Sequence, residues 1–221
     1  MAGPIAHIFC ALSVLNSGAL TVTDKKAFIV GTSFPNIRYL GDIKNELSHK
    51  RKITWDTVQN EPSSFKAGML FHVLVDEARE NYFIEKGMYE KVTKRKNLEP
   101  AIKLYEDIIL YDWVTDWQSI VRYFDTVLEQ EQQHAFSNDR VMLFHTFLQR
   151  YLSMQPTREY VSNLVITSHP TFDTMLPLFK PFSVYVFKYY VNTLMDMLEQ
   201  TPEVKDIITS FYAECVDNIV Q

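Results

Sequence analysis

Residues 65–77, FKAGMLFHVLVDE, place an imidazole, His72, and a carboxylate, Asp76, four residues apart within an apolar run. On a helix this spacing brings the two side chains to one face, one turn apart, as two ligands of a single metal ion must be. Pro62 and the serines after it favour a helix start, and Gly87 favours a stop just beyond the end. The pattern therefore predicts a helix from Pro62 to about Glu85.

Helical spacing of apolar residues continues through most of the chain. The other predicted helices are Pro4 to about Asn16, Thr23 to Gly31, Glu99 to Tyr111, Trp113 to about Gln132, Asp139 to Ser153, Thr157 to Val165, Thr171 to Glu199 and Pro202 to Val220. Strand signals are scarce. We expect an all-α protein with one domain over residues 1–221, comprising a candidate metal-site half (1–90) and a helical remainder (91–221).

The segment between the second predicted helix and the helix containing His72 has few periodic apolar positions. It runs from Ser33 to about Thr54 and contains Asn36 and His49. We expect a long loop or a pair of short turns there, and loops of that length in compact domains commonly have a function.

Composition limits the classes of partner and compartment. The net charge is -5 and the pI about 5.7, so no overall basic field attracts nucleic acid in bulk. Charged residues interrupt every long apolar stretch, and the first residues lack the positive region of a signal peptide. With only Cys10 and Cys215 and no need for a disulfide framework, a cytoplasmic protein without a transmembrane segment is expected.

Three further residues precede the His72/Asp76 pair in an ordered series: His7 near the start, Asn36 after a Phe-Pro, and His49, followed by the His-x-x-x-Asp motif of the pair itself. In this order and context the first 85 or so residues resemble the zinc-dependent phospholipase C family, whose superfamily includes the fungal single-strand nucleases. The segment from Gly31 to Leu40 is similar to the family's Gly-x-x-x-Pro-Asp-Ile segment. The resemblance implies an all-helical phospholipase C/nuclease-like bundle.

The resemblance also implies a zinc site of one or two ions and hydrolysis of a phosphoester. The implied metal ligands are His7, Asn36, His49, His72 and Asp76, and the implied catalytic residues are Asp76 and Asn36. An oxygen of Asp42 is an alternative to that of Asn36. The implied substrate is a small phosphoester or a phospholipid head group. In the family the chain's own amino terminus is a ligand, so an amine at Ala2, beside a second ion bridged by Asp76, is a further expectation.

The chain departs from the family pattern in two ways. Asn36 replaces an aspartate, and no histidine follows Asp76 until His134. These departures support an alternative reading, a catalytically inactive member that works as a binding or interaction scaffold. A third reading is a plain helical bundle, in which Asp76 bonds to Arg79 and the histidines lie far apart in space.

Overall fold

The computed structural model describes residues 2–40, 53–92, 99–134, 137–160, 189 and 192–220. Within these ranges the chain is helical and has no strand, which confirms the predicted all-α class. The helices are α1 (Pro4–Asn16), α2 (Lys25–Ser33), α3 (Trp55–Gln59), α4 (Ser64–Glu85), α5 (Met88–Lys91), α6 (Glu99–Tyr111), α7 (Trp117–Val121), α8 (Glu129–His134), α9 (Asn138–Ser153), α10 (Pro202–Ala213) and α11 (Cys215–Val220). Residues 192–199 are also helical, and 3-10 turns cover Phe34–Leu40 and Arg122–Phe124.

Helix α4 forms where the sequence predicts it. The hydroxyl of Ser63 accepts a hydrogen bond from the backbone N–H of Lys66 and so caps the first turn. Just beyond the last turn, Gly87 adopts φ +63°, a conformation that residues with a side chain rarely reach. The 22-residue helix is therefore fixed at both ends by local chemistry.

Helices α2 and α4 touch backbone to backbone. A Cβ placed on Gly68 would overlap the carbonyl oxygen of Phe28, and a Cβ placed on Gly31 would overlap the carbonyl oxygen of Phe65. The prediction that Gly31 ends its helix is wrong, because α2 continues to Ser33. The structural role of Gly31 is close approach between helices and not helix termination.

Two long predicted helices are divided in the structure. The side chain of Asp116 accepts a hydrogen bond from the N–H of Ser119 and starts the short helix α7, so the helix predicted from Trp113 to Gln132 is wrong. The segment from Pro202 to Val220 is interrupted at Glu214. The predictions for 161–188, and the part of the predicted loop that contains His49, lie outside the described residues.

The candidate site lies where α1 meets α2 and α4. Seven of the 13 residues of α1 are buried, among them His7. Helix α6 packs against α1 on another side, and the core extends from there to α9, α10 and α11. No described helix is both long and apolar enough to cross a membrane.

Candidate metal centre

Three side chains from two helices meet in the core. His7 of α1 and His72 of α4 are fully buried, and Asp76 of α4 is 8 % exposed. The Nε2 atom of His7 lies 3.3 Å from Oδ1 of Asp76, and the Nε2 atom of His72 lies 3.4 Å from Oδ2. One ligand atom from each residue lies within 4.8 Å of the other two, so the group could hold a metal ion.

Backbone carbonyls fix the protonation of both rings. His7 Nδ1 lies 2.9 Å from the carbonyl oxygen of Gly3, and His72 Nδ1 lies 2.8 Å from that of Thr32. Because a carbonyl oxygen can only accept a hydrogen bond, each ring must carry its proton on Nδ1. In a neutral ring the Nε2 atom then presents a lone pair toward Asp76, and neither Nε2 has a hydrogen-bond partner among the described residues.

The ionisation of the group leaves a buried negative charge on Asp76 at neutral pH. Burial, reinforced by the nearby His72 ring, lowers the pKa of His7 from 6.5 to about 4, so this ring is neutral at neutral pH. Burial alone would raise the pKa of the Asp76 carboxyl, but attraction to the adjacent His72 and His7 rings, which acts when a ring carries a second proton, brings that pKa well below its ordinary value. A carboxylate therefore faces the lone pair of a neutral ring, an arrangement that a cation would stabilise.

The two imidazole rings are stacked. Their centroids are 3.8 Å apart and their planes differ by 3°. A nitrogen lone pair lies in the plane of its ring, so parallel planes direct the two lone pairs to different points. A different oxygen of Asp76 faces each of these points. Like charges this close repel, which disfavours protonation of both rings together.

The N-terminal arm closes one side of the group. The backbone nitrogen of Ala2 donates a hydrogen bond to Oδ1 of Asp76 over 2.6 Å, and Ala2 is only 2 % exposed. The next residue, Gly3, supplies the carbonyl that orients His7. The first residues before α1 are thus part of the same cluster.

No protein-family model, curated protein or solved structure matches the chain. The resemblance to zinc-dependent phospholipase C stays an expectation based on residues of roughly the first 85 positions. The chemistry of the site follows from its own geometry: two imidazole nitrogens and a carboxylate converge from α1 and α4 in a buried setting, which is the donor set of many metal centres.

Two predictions of the plain-bundle reading are wrong. Arg79 does not serve as the partner of Asp76, because its guanidinium makes two hydrogen bonds to the carboxylate of Glu106, at 2.7 and 2.8 Å. His7 and His72 are not far apart but in ring-to-ring contact. The charge of Asp76 is therefore directed at the histidines, not at a neighbouring cation on its own helix.

The remaining predicted ligands are placed in part. Asn36 is 6 % exposed in the 3-10 turn after α2, one turn beyond Thr32, and its Nδ2 has no hydrogen-bond partner among the described residues. His49 lies outside the described residues. Neither His134 nor His145 belongs to the three-residue group: the first stacks on Phe65, and the second pairs with the buried Glu131 at 2.8 Å.

Sequence reasoning missed two buried acids that lie behind the group. Glu106 and Asp107 are adjacent on α6, and both are fully buried. Burial raises the pKa of Asp107 from 3.8 to about 7, although a hydrogen bond from Tyr151 opposes the rise. The available signal was a pair of neighbouring carboxylates in a helix whose flanking positions are apolar.

Proposed function

We propose that this protein is a metal-dependent phosphoester hydrolase whose site is built around His7, His72 and Asp76, with zinc as the ion. The observation that carries the proposal is the pair of Nε2 lone pairs, both fixed by Nδ1 contacts to carbonyls, that face one buried carboxylate. Two nitrogen lone pairs turned toward one carboxylate favour a cation between them.

Zinc suits this donor set. A tetrahedral zinc ion with nitrogen and oxygen ligands at about 2.0–2.2 Å holds neighbouring ligand atoms about 3.3 Å apart. The distances from the two Nε2 atoms to Asp76 are 3.3 and 3.4 Å. Magnesium and calcium prefer all-oxygen sites, whereas imidazole favours zinc and other later divalent metals.

The stacked rings favour two ions over one. Because the ring planes are parallel, one ion cannot lie in both planes, whereas two ions can each face one ring and share the carboxylate of Asp76. Closely spaced metal pairs bridged in this way are common in phosphoester hydrolases. Asn36 and His49, which the family resemblance assigns to the same cluster, would supply the additional ligands.

The residues of the chain would hold the zinc ions and orient the side chains that bind them. When bound, zinc would polarise a phosphoryl oxygen and lower the pKa of a water molecule. Asp76 supplies the negative charge that offsets the ions, and the carbonyls of Gly3 and Thr32 stop the two rings from rotating. The proposed substrate class is a small phosphoester or a phospholipid head group.

The first experiment is elemental analysis of the purified chain after zinc supplementation. We expect between about one and two zinc ions per chain. His72→Ala should lose them, and His134→Ala, which alters a histidine outside the three-residue group, should keep them. A wild-type chain without zinc would contradict the proposal and favour the noncatalytic interaction scaffold.

Activity is measured next, with an aryl phosphodiester as the probe. The zinc-loaded wild type should hydrolyse it, and His72→Ala should not. Asn36→Asp tests the departure from the family pattern, because a carboxylate at this position should raise zinc affinity about tenfold if the side chain faces the ions. Unchanged affinity would remove Asn36 from the proposed ligands.

A further inference from the structure

Helix α6 contributes no ligand to the three-residue group, yet it carries the two least exposed carboxylates near it. Glu106 and Asp107 are each 0 % exposed. A buried carboxylate is costly unless hydrogen bonds or cations compensate it. Each of these two acids has a partner on one of the helices that carry His7 and Asp76.

Asp107 holds the start of α1. Its Oδ1 accepts a hydrogen bond from the backbone N–H of Ala6 at 3.0 Å, and its Oδ2 accepts one from the hydroxyl of Tyr151 at 2.7 Å. The first N–H groups of a helix have no partner within the helix and favour a negative charge beside them. Ala6 immediately precedes His7, so the carboxylate fixes the turn that carries this ring.

Asp107 also packs on the residue that orients the His7 ring. A Cβ placed on Gly3 would overlap the carboxylate of Asp107, so the two groups are in close contact. Gly3 supplies the carbonyl that accepts from His7 Nδ1. One carboxylate therefore sets both the backbone position of His7 and the direction of its ring.

Glu106 holds α4 in the same way. It binds Arg79 through two hydrogen bonds and accepts a third from the hydroxyl of Tyr212 at 3.1 Å. Arg79 lies three residues after Asp76, about one helical turn away. Adjacent positions of α6 thus bind the two ligand-bearing helices, α1 and α4.

We propose that Glu106 and Asp107 are positioning residues that set the separation of His7 from Asp76 and thereby the affinity of the centre for metal ions. This inference rests on the proposed function for its metal-binding consequence, but its geometric part concerns the metal-free chain alone. If the two acids had a purely structural role, replacing either one would lower the free energy of unfolding but leave the ring geometry and the zinc affinity of the folded chain unchanged.

The test compares Asp107→Leu with Asp107→Asn. Leucine removes both acceptors, whereas asparagine keeps an oxygen for Ala6 N–H and can donate its amide to the Tyr151 hydroxyl. Glu131→Leu is the matched control, because Glu131 is equally buried but belongs to the pair with His145. Ring signals of isotope-labelled histidines are recorded in chelator, and zinc affinity is then measured by competition with a chromophoric chelator.

We expect Asp107→Leu to shift the His7 and His72 ring signals and to weaken zinc binding about tenfold or more, as loss of a group that orients metal ligands commonly does. In Asp107→Asn the two ring signals and the zinc affinity should be those of the wild type. Glu131→Leu should move only the His145 signal. Unmoved His7 and His72 signals in Asp107→Leu would overturn the inference whether or not zinc binds. Failure of the wild type to bind zinc would instead count against the proposed function.

Should Asp107→Leu fail to fold, Gly3→Ala gives the same test without removing a buried acid. The added methyl group displaces the carboxylate from Gly3 and should shift the same two ring signals. Tyr151→Phe removes one hydrogen bond to Asp107 and should produce a smaller shift in the same direction. Wild-type signals in both variants would contradict the positioning role.

Discussion

Two carbonyl oxygens decide what kind of group the three residues form. If the rings of His7 and His72 donated to Asp76, the group would be an ordinary buried hydrogen-bond network. Their protons are instead engaged by Gly3 and Thr32, which leaves lone pairs directed at a carboxylate. A cation between the lone pairs and the carboxylate would stabilise such a group.

Asp76→Asn separates the metal centre from an ordinary polar network. The amide can donate a hydrogen bond to an Nε2 lone pair, so we expect the metal-free variant to be more stable than wild type by about 1 kcal/mol, while zinc binding is lost. Urea unfolding in chelator, with zinc titration alongside, measures both. A variant less stable than wild type in chelator would show that Asp76 accepts from a protonated histidine.

Asp107 makes stability depend on pH. The pKa of Asp107 is 3.8 in the unfolded chain, as for an ordinary aspartate, and about 7 in the folded chain. At a pH between these two values, folding therefore takes up a proton. Stability contributed by the protonated acid is therefore lost as the pH rises from about 4 to about 7, by at most about 1.4 kcal/mol per pH unit. His7 acts in the opposite direction, because its lowered pKa makes the unfolded chain bind the extra proton below about pH 6.5.

Asp107→Asn isolates the contribution of Asp107. Between about pH 4.5 and pH 6.5 the stability of this variant should rise relative to wild type, since the titrating acid is gone and the His7 contribution cancels in the difference. Urea unfolding in chelator at several pH values provides the comparison. Parallel pH profiles for the two proteins would show that the Asp107 carboxyl titrates normally.

The residue pattern predicted part of the centre and could not predict the rest. Spacing placed His72 and Asp76 on one helical face, because helix geometry is local. The contact of His7 with His72 depends on how α1 crosses α4. Only the resemblance to the family, in which the residues occur in the same order, predicted that His7 and His72 belong to one cluster. The supporting acids Glu106 and Asp107 were missed, since a carboxylate in a helix is usually on the surface.

The contact between α2 and α4 holds the orienting carbonyl in place. Gly31 and Gly68 let the two backbones meet, and Thr32, next to Gly31, supplies the oxygen that accepts from His72. Gly68 lies one turn before His72, where the absence of a side chain allows another helix to come close, and that helix is α2. Sequence reasoning missed that Gly31 is the residue of α2 that allows this contact, because glycine in a short helix more commonly signals the end of the helix.

Gly68→Ala tests this helix pair. The methyl group would meet backbone atoms of Phe28 and Thr32, which cannot rotate away, so α2 must move. We expect a loss of about 3 kcal/mol in the free energy of unfolding and weaker zinc binding. Glu77→Ala, an exposed change on the same helix, should leave both near wild type. Unaltered zinc binding in Gly68→Ala would show that the helix contact does not orient His72.

The metal centre would stabilise the molecule as a whole because its ligands join α1 to α4, which are distant in the sequence. Zinc that binds the folded chain and not the unfolded one adds about 2.7 kcal/mol at a free concentration one hundred times the Kd. We therefore expect zinc to raise the melting temperature of wild type and leave that of His72→Ala unchanged. Calorimetry with and without zinc gives the comparison, and an equal rise in both proteins would indicate nonspecific binding.

The parallel stack of His7 and His72 also bears on how the centre fills. Two divalent ions, one beside each ring, would repel each other strongly in a buried setting, and Asp76, the one carboxylate of the three-residue group, would only partly offset that repulsion. Uptake should then proceed in two separate steps, with the second ion bound more weakly than the first. With one equivalent of zinc most chains would then hold a single ion, and the population would not be a mixture of empty and doubly loaded chains.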